Sequence, residues 1–282
     1  VNPDIIQTNF ILKTLFDYLN RFGVENNQHF LFALGVIVFV LLITSLIFKA
    51  LTAYVQIRFV LMREYIIGKH LVEGYLHQPY SWFLNRNSAV LGKTILSEVG
   101  QVVIGLTSLM EIIAKSMVVI ALVFLLVLID PKLALSVSII FGAAYGIIYY
   151  FTRRFLKQIG KVRLKNNQLR FMALSETFGA AKEVKLSGLE QNFIKKFSDP
   201  AKIFARSQTF SSLIGQLPRF FIEAIAFGGI LVMILYLMIK TGSFNNSIPI
   251  ISLYTFAGYR LMPAIQAIYV SFTRITYIGP SL

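Results

Sequence analysis

Residues 102–129 form a long apolar run that holds only one carboxylate, Glu111, and one ammonium, Lys115. An α-helix needs roughly 20 consecutive apolar residues to cross the hydrocarbon core of a bilayer, and this run is longer. Soluble domains usually carry about 25% charged residues, whereas this chain is 14% charged and 56% hydrophobic. The sequence therefore predicts an all-α integral membrane protein, because open strands cannot satisfy their backbone groups in lipid.

Five segments of the chain are predicted to be membrane helices. They are residues 29–57, 102–129, 132–152, 209–240 and 247–276. The connections 58–101 and 153–208 are long and basic, which is typical of the cytoplasmic side. The short turns at Asp130-Pro131 and 240–249 carry few cations and are placed outside. This arrangement puts the N-terminus outside and the C-terminus in the cytoplasm.

The two cytoplasmic connections show helical periodicity with mixed charge, so the membrane helices are predicted to continue into the cytoplasm as a solvated stalk. Turn-forming residues divide each connection into a hairpin. Pro79 and residues 85–88 interrupt the first, and Ser187-Gly188 and Asp199-Pro200 interrupt the second.

Residues 5–22 form an amphipathic stretch that is too polar to span a membrane. Apolar side chains share one helical face and charged side chains the other, although the separation is imperfect. We expect residues 1–28 to be an external loop with an amphipathic helix lying flat on the outer membrane surface. An ordinary extracellular loop packed on its neighbours is the alternative.

Charge and composition argue against several other functions. The net charge of +14 does not indicate nucleic-acid binding, because the cations cluster between apolar segments rather than among stacking aromatic residues. Cysteine is absent, which excludes disulfides and thiolate metal sites. His29, His70 and His77 lack metal-ligand spacing. No catalytic residue and no metal site is predicted in this chain.

Two stretches at the predicted hairpin tips resemble the coupling segments of ABC exporters. They are residues 76–88, followed by Gly92 and Glu98, and residues 175–190, followed by Phe193 and Phe197. In that family a short transverse helix, here roughly Tyr80–Leu84 for the first tip, sits against a nucleotide-binding domain. The resemblance implies a set of coupling residues. They are Tyr80, Trp82, Phe83, Ser175, Glu176, Lys182 and Glu183.

Within the ABC exporters, the chain resembles the bacterial flippases of lipid-linked oligosaccharides, which serve protein glycosylation. The similar stretches are residues 217–227, 257–263 and 48–51, where Lys49 stands in place of an arginine. An external amphipathic helix before the second membrane helix is also characteristic of these flippases. The resemblance implies a type I exporter helix bundle with five of its six helices present, the first preceding Val1.

The resemblance also implies partners. They are a second copy of the chain in a homodimer, a nucleotide-binding domain after Leu282, membrane lipids and an anionic lipid-linked substrate. The chain contains no G-x-x-x-x-G-K-[ST] phosphate loop, so it is not expected to be an enzyme by itself. ATP and magnesium are expected in the nucleotide-binding domain of an ATP-hydrolysing translocase in the bacterial inner membrane.

Five cations lie inside or beside the apolar segments, where a charge costs roughly 2.5–3.5 kcal/mol even on lenient scales. They are Lys49, Lys115, Arg219, Arg260 and Arg274. Lys115 lies one helical turn from Glu111, and Arg219 lies one turn from Glu223. These spacings predict two intramembrane ion pairs that neutralise charge within one helix.

The cations without a nearby acid are candidates for binding an anionic substrate. Lys49, Arg260 and Arg274, together with Arg219, are predicted to line a cavity that holds a pyrophosphate, since arginine offers a bidentate fork to phosphate oxygens. For Arg274 the alternative is snorkelling to the inner headgroups. Where the family often carries a further arginine, this chain has Gln266-Ala267.

Two other functions remain open on the sequence alone. The first is an ABC exporter with a different cargo, such as a peptide, a drug or an ordinary lipid. The second is a membrane scaffold that binds partners and transports nothing. The first differs from the flippase hypothesis in whether transport needs the cations of the apolar segments. The second differs in that no substrate moves when ATP is supplied.

Overall fold

The computed structural model describes residues 27–84, 86–129, 131–241 and 248–281. Within these ranges the chain is helical and contains no strand, so the all-α prediction is confirmed. The predicted amphipathic segment 5–22, Asp130 and most of the turn 240–249 lie outside the described residues.

The described helices are numbered in chain order. They are α1 (Asn27–Leu76), α2 (Tyr80–Leu84), α3 (Ser88–Lys93), α4 (Val99–Ile129), α5 (Pro131–Gly179), α6 (Ala181–Leu186), α7 (Glu190–Thr241) and α8 (Ile248–Ile278). A π-helical turn, Thr94–Glu98, joins α3 to α4, and a 3₁₀ turn, Gly279–Ser281, follows α8.

Three of these helices run far beyond the thickness of a membrane. Helices α1, α5 and α7 contain 50, 49 and 52 residues, so each is about 75 Å long at 1.5 Å per residue. Apolar segments and charged connections therefore belong to the same continuous helices, as the periodicity predicted. We call segments 58–101 and 153–208 the stalk.

The predicted breaks in the stalk are found at three of four places. Helix α1 ends before Pro79, and α3 begins at Ser88, where the Asn87 side chain accepts a hydrogen bond of 2.8 Å from the Ala89 amide. The prediction at Asp199-Pro200 is wrong, because Pro200 lies inside α7. A proline removes one backbone hydrogen bond, and neighbouring exposed residues such as Asp199 leave water free to satisfy the carbonyl group.

Two helical stretches, residues 29–76 and 88–128, are long and apolar enough to cross a membrane among the residues that the structure describes. Only 6% of the apolar window of each is buried, whereas the core helix of a soluble protein would be mostly covered. Exposed apolar surface on this scale needs another apolar phase around it. The other three predicted spans fall within α5, α7 and α8.

The chain divides into two compact units, residues 1–59 and 60–282. In the first unit the described part is the apolar portion of α1. In the second unit α8 packs against α4, α5 and α7, and α5 also packs along α7. Tyr145, Ile222 and Tyr269 form a buried cluster where α5, α7 and α8 meet. Helix α8 is therefore the central element of this unit.

Candidate functional site

A cavity of about 310 Å³ opens between α4, α7 and α8 in the second unit. Its walls combine charged, polar and apolar side chains. They are Glu111, Arg219, Glu223, Met262, Pro263, Gln266, Ala267, Val270 and Arg274. We call this space the cavity. Two of the four cations predicted to bind substrate, Arg219 and Arg274, line it.

The predicted pair of Arg219 and Glu223 is present on α7. The Arg219 Nε atom lies 2.7 Å from Glu223 Oε1, with 58% of the arginine side chain and 31% of the glutamate side chain exposed. The pair follows from helix geometry, since residues four apart lie on the same face. Both partners also face the cavity, which the sequence spacing did not indicate for Glu223.

The predicted pair of Glu111 and Lys115 is not formed, although both residues lie in the described part of the chain. The Glu111 carboxylate instead accepts a hydrogen bond of 3.2 Å from the buried Ser271 hydroxyl on α8. This contact turns the carboxylate toward α8 and the cavity. A tertiary contact therefore replaces the local pair that the spacing predicted.

Of the other cations that were predicted to line the cavity, only Arg274 is among the described lining residues. Arg274 is exposed, lines the cavity and forms no ion pair with any described residue. Arg260 lies in α8, two residues before Met262, and its side chain lies outside the description. Lys49 is exposed in the first unit. The substrate roles of Arg260 and Lys49 stay predictions.

Gln266 is a structural residue of the cavity wall that sequence reasoning treated only as a departure from the family. Its side-chain nitrogen donates to the Gly215 carbonyl at 2.7 Å, and its side-chain oxygen accepts from the Tyr145 hydroxyl at 2.9 Å. The amide thus ties α8 to both α5 and α7. A glutamine can donate and accept at once, which an arginine at this position could not do.

The first stalk tip carries the predicted transverse helix at the predicted residues, α2 (Tyr80–Leu84). The Trp82 ring lies 5.5 Å from that of Tyr75 and 5.2 Å from that of Phe83, and the Arg86 guanidinium lies 4.4 Å from the Trp82 ring centre. These contacts hold Trp82 against the end of α1 and Phe83 against Trp82. Tyr80 is 78% exposed.

The second stalk tip contains the short helix α6, which the sequence did not delimit. Ser175 and Glu176 lie in the last turns of α5, whereas Lys182 and Glu183 lie on α6 and are exposed. Glu176 pairs with Lys196 of α7. Gly188, with φ of 62°, follows α6 in the left-handed conformation that glycine adopts without strain.

A buried polar cluster, which we call the stalk network, joins the two segments of the stalk to the 3₁₀ turn after α8. The Glu98 carboxylate accepts hydrogen bonds from Arg163 Nη2 at 3.2 Å, from Asn167 Nδ2 at 2.8 Å and from Ser281 Oγ at 2.6 Å. Lys93 Nζ lies 3.9 Å away. Arg163 is fully buried and also contacts the Ser281 hydroxyl. The network therefore fixes the end of the chain after α8 to α5 and to the start of α4.

The charge state of Glu98 makes this network sensitive to acid. Burial raises the pKa of Glu98, but hydrogen bonds from Ser281 and Asn167 and the charges of Arg163 and Lys93 outweigh it, so its pKa lies below the usual 4.5. A lowered folded-state pKa contributes stability above the unfolded pKa, which is lost as the pH falls through the folded value.

Below about pH 4.5, we expect the melting temperature of the purified protein to fall more steeply for the wild type than for Glu98→Gln. The variant carries no carboxylate to protonate at this position, so its difference from the wild type isolates Glu98 from the other acids. Thermal unfolding in detergent across this pH range provides the measurement. Parallel curves for the two proteins would contradict the assignment.

Long helices with exposed apolar faces, a polar cavity and short helices at the stalk tips define a helical membrane domain. The family model of the ABC transporter transmembrane region matches residues 6–263. The chain therefore belongs to the ABC transporter transmembrane-region family. Domains of this family pair with nucleotide-binding domains and typically dimerise.

Proposed function

We propose that this chain forms the translocation pathway of an ATP-driven exporter that flips a polyprenyl-pyrophosphate-linked oligosaccharide across the bacterial inner membrane. The observation that carries the proposal is the cavity, which is lined both by Arg219 of α7 and by Arg274 of α8. Arginine binds phosphate oxygens through two parallel hydrogen bonds, which are stronger than those between neutral groups.

The surroundings of the cavity suit a lipid-linked substrate. Apolar side chains of α4 such as Ile113, Met117 and Ile120 are exposed, so a polyprenyl tail could remain in the hydrocarbon while its charged headgroup enters the cavity. The sequence resemblance to flippases of lipid-linked oligosaccharides points to the same class of substrate.

The energy for transport would come from outside the described helices. In this proposal two copies of the chain form a homodimer, and ATP with magnesium binds in nucleotide-binding domains of the full-length protein, a hydrolysing translocase with its C-terminal side in the cytoplasm. The stalk tips α2 and α6 would contact those domains. The motion of those domains would reach the membrane helices through α2 and through about residues 175–185, which would act as rigid levers.

The role of Arg274 can be tested in proteoliposomes with a fluorescent lipid-linked oligosaccharide. We expect Arg274→Ala to reduce the flipping rate about tenfold, because one charge-assisted contact to phosphate is lost, while ATP turnover is retained. Arg154→Ala is the matched control, since Arg154 is an exposed arginine of the stalk. A flipping rate of Arg274→Ala equal to that of the control would refute the substrate role.

A second candidate function is export of a lipid whose headgroup carries an amine. Glu111 and Glu223 line the cavity, and a carboxylate is a natural partner for an ammonium group. Such a substrate would compete with the lipid-linked oligosaccharide for transport and would depend on the carboxylates rather than on Arg274. A membrane scaffold, by contrast, would show no ATP-dependent movement of either lipid.

A further inference from the structure

The charges of the residues that line the cavity sum to zero. Arg219 and Arg274 contribute two positive charges, and Glu111 and Glu223 contribute two negative charges. A pyrophosphate esterified at both ends carries two negative charges, and the four charged side chains of the cavity together offer it no net attraction. Its binding is favoured if the carboxylate that pairs with Arg219 moves away from the guanidinium.

The two carboxylates differ in what they contact. Glu223 lies directly on an arginine, with 2.7 Å between its Oε1 atom and Arg219 Nε. Glu111 accepts a hydrogen bond from the Ser271 hydroxyl and contacts no described cation within 4 Å. Of the two carboxylates, Glu223 is therefore the one that is paired with a guanidinium to which a substrate phosphate would bind.

The contacts of Arg219 and Glu223 allow a competing anion to break their ion pair. The pair joins neighbours on one helix, and more than half of the arginine side chain is exposed, so the arginine is held by its side-chain torsions rather than by packing. A pyrophosphate can offer the same guanidinium two parallel hydrogen bonds, whereas Glu223 Oε1 meets it at Nε.

We propose that Glu223 is an internal counter-ion that competes with the substrate phosphate for Arg219, an inference that rests on the proposed function. In the empty cavity Glu223 neutralises Arg219. When the pyrophosphate binds Arg219, it displaces the Glu223 carboxylate. When the substrate leaves, the carboxylate pairs with Arg219 again. Glu223 thus sets the affinity for the phosphate group and promotes its release.

The test is a binding measurement on the full-length transporter in nanodiscs, with undecaprenyl pyrophosphate as the probe. We expect Glu223→Gln to bind it about three- to tenfold more tightly than the wild type, because the competitor has lost its charge. The double variant Arg219→Ala, Glu223→Gln should lose this gain. In flipping assays Glu223→Gln should lower both the apparent KM and the maximal rate. A purely structural role does not produce this combination, because a loosened cavity would not bind the substrate more tightly.

Glu111→Gln is the matched control, because it removes the same charge from the same cavity without freeing an arginine. A gain for Glu111→Gln equal to that for Glu223→Gln would overturn the competition model in favour of a general field effect. A gain with undecaprenol, which has no phosphate, would overturn it as well. A gain with inorganic pyrophosphate but not with the lipid would exclude a lipid headgroup as the competitor.

The outcomes separate this inference from the proposed function. If the wild type binds undecaprenyl pyrophosphate and Glu223→Gln binds it equally well, the counter-ion role is wrong and the flippase proposal stands. If the wild type binds no undecaprenyl pyrophosphate, the counter-ion role is wrong, and the flippase proposal is decided separately by the flipping assay with the lipid-linked oligosaccharide.

Discussion

Replacing Arg163 by alanine is expected to lower the free energy of unfolding by about 3–5 kcal/mol, the usual result of removing one partner of a buried ion pair. The Glu98 carboxylate would stay buried without its guanidinium partner, and Ser281 would lose one of its two contacts in the stalk network. The guanidinium also lies 5.5 Å from the Tyr277 ring centre, so packing at the end of α8 is lost too. Denaturant or thermal unfolding of the purified transporter provides the measurement.

Two further variants make the Arg163 result specific. The exposed Arg154 of the same helix is the control, and Arg154→Ala should unfold close to the wild type. The triple variant Lys93→Met, Glu98→Leu, Arg163→Met should regain part of the loss, because apolar residues of similar volume often replace buried ion pairs without cost and no buried charge is left unpaired. If the unfolding midpoints of Arg163→Ala and Arg154→Ala are equal, the network does not stabilise the stalk.

Replacing Gly160 by alanine is expected to destabilise the transporter by up to about 3 kcal/mol, as overpacking does. A Cβ atom at this position would lie 2.2 Å from the Tyr277 carbonyl oxygen and 3.3 Å from Pro280 Cγ. The obstacle is backbone, so no side-chain rotation relieves it, and α5 and the end of α8 must move apart. The same movement would disturb the stalk network next to it.

Gly146 of α5 is the matched control for Gly160. An added Cβ there meets no atom of the described residues within 4 Å, and alanine favours a helix over glycine by about 1 kcal/mol. Gly146→Ala should therefore be neutral or stabilising in the same thermal unfolding assay. Equal melting temperatures for the two variants would show that α5 and α8 do not approach as closely as described.

Much of the fold follows from the sequence because length and charge pattern determine it directly. The apolar run 102–129 specifies a membrane helix, and helical periodicity through 153–208 specifies the stalk. Pro79 and residues 85–88 mark the ends of α2 within one or two residues. The break predicted at Asp199-Pro200 is absent, because the sequence does not show that water can replace the backbone hydrogen bond that proline removes.

The candidate site could be predicted only where its contacts are local. The pair of Arg219 and Glu223 is visible in the spacing of four residues along one helix. The contacts of Glu111 with Ser271 and of Gln266 with Gly215 join separate helices, and no spacing encodes them. The stalk network is of the same kind, since Glu98, Arg163 and Ser281 lie far apart along the chain.

The central claim, that this ABC transporter domain forms a pathway for a pyrophosphate-linked oligosaccharide, is tested most directly by flipping. The full-length protein, reconstituted in proteoliposomes, would be given a fluorescent polyprenyl-pyrophosphate-linked oligosaccharide, with a fluorescent phospholipid as the comparison. We predict ATP-dependent movement of the lipid-linked oligosaccharide well above that of the phospholipid. No ATP-dependent movement of the oligosaccharide, or equal movement of both lipids, would contradict the account.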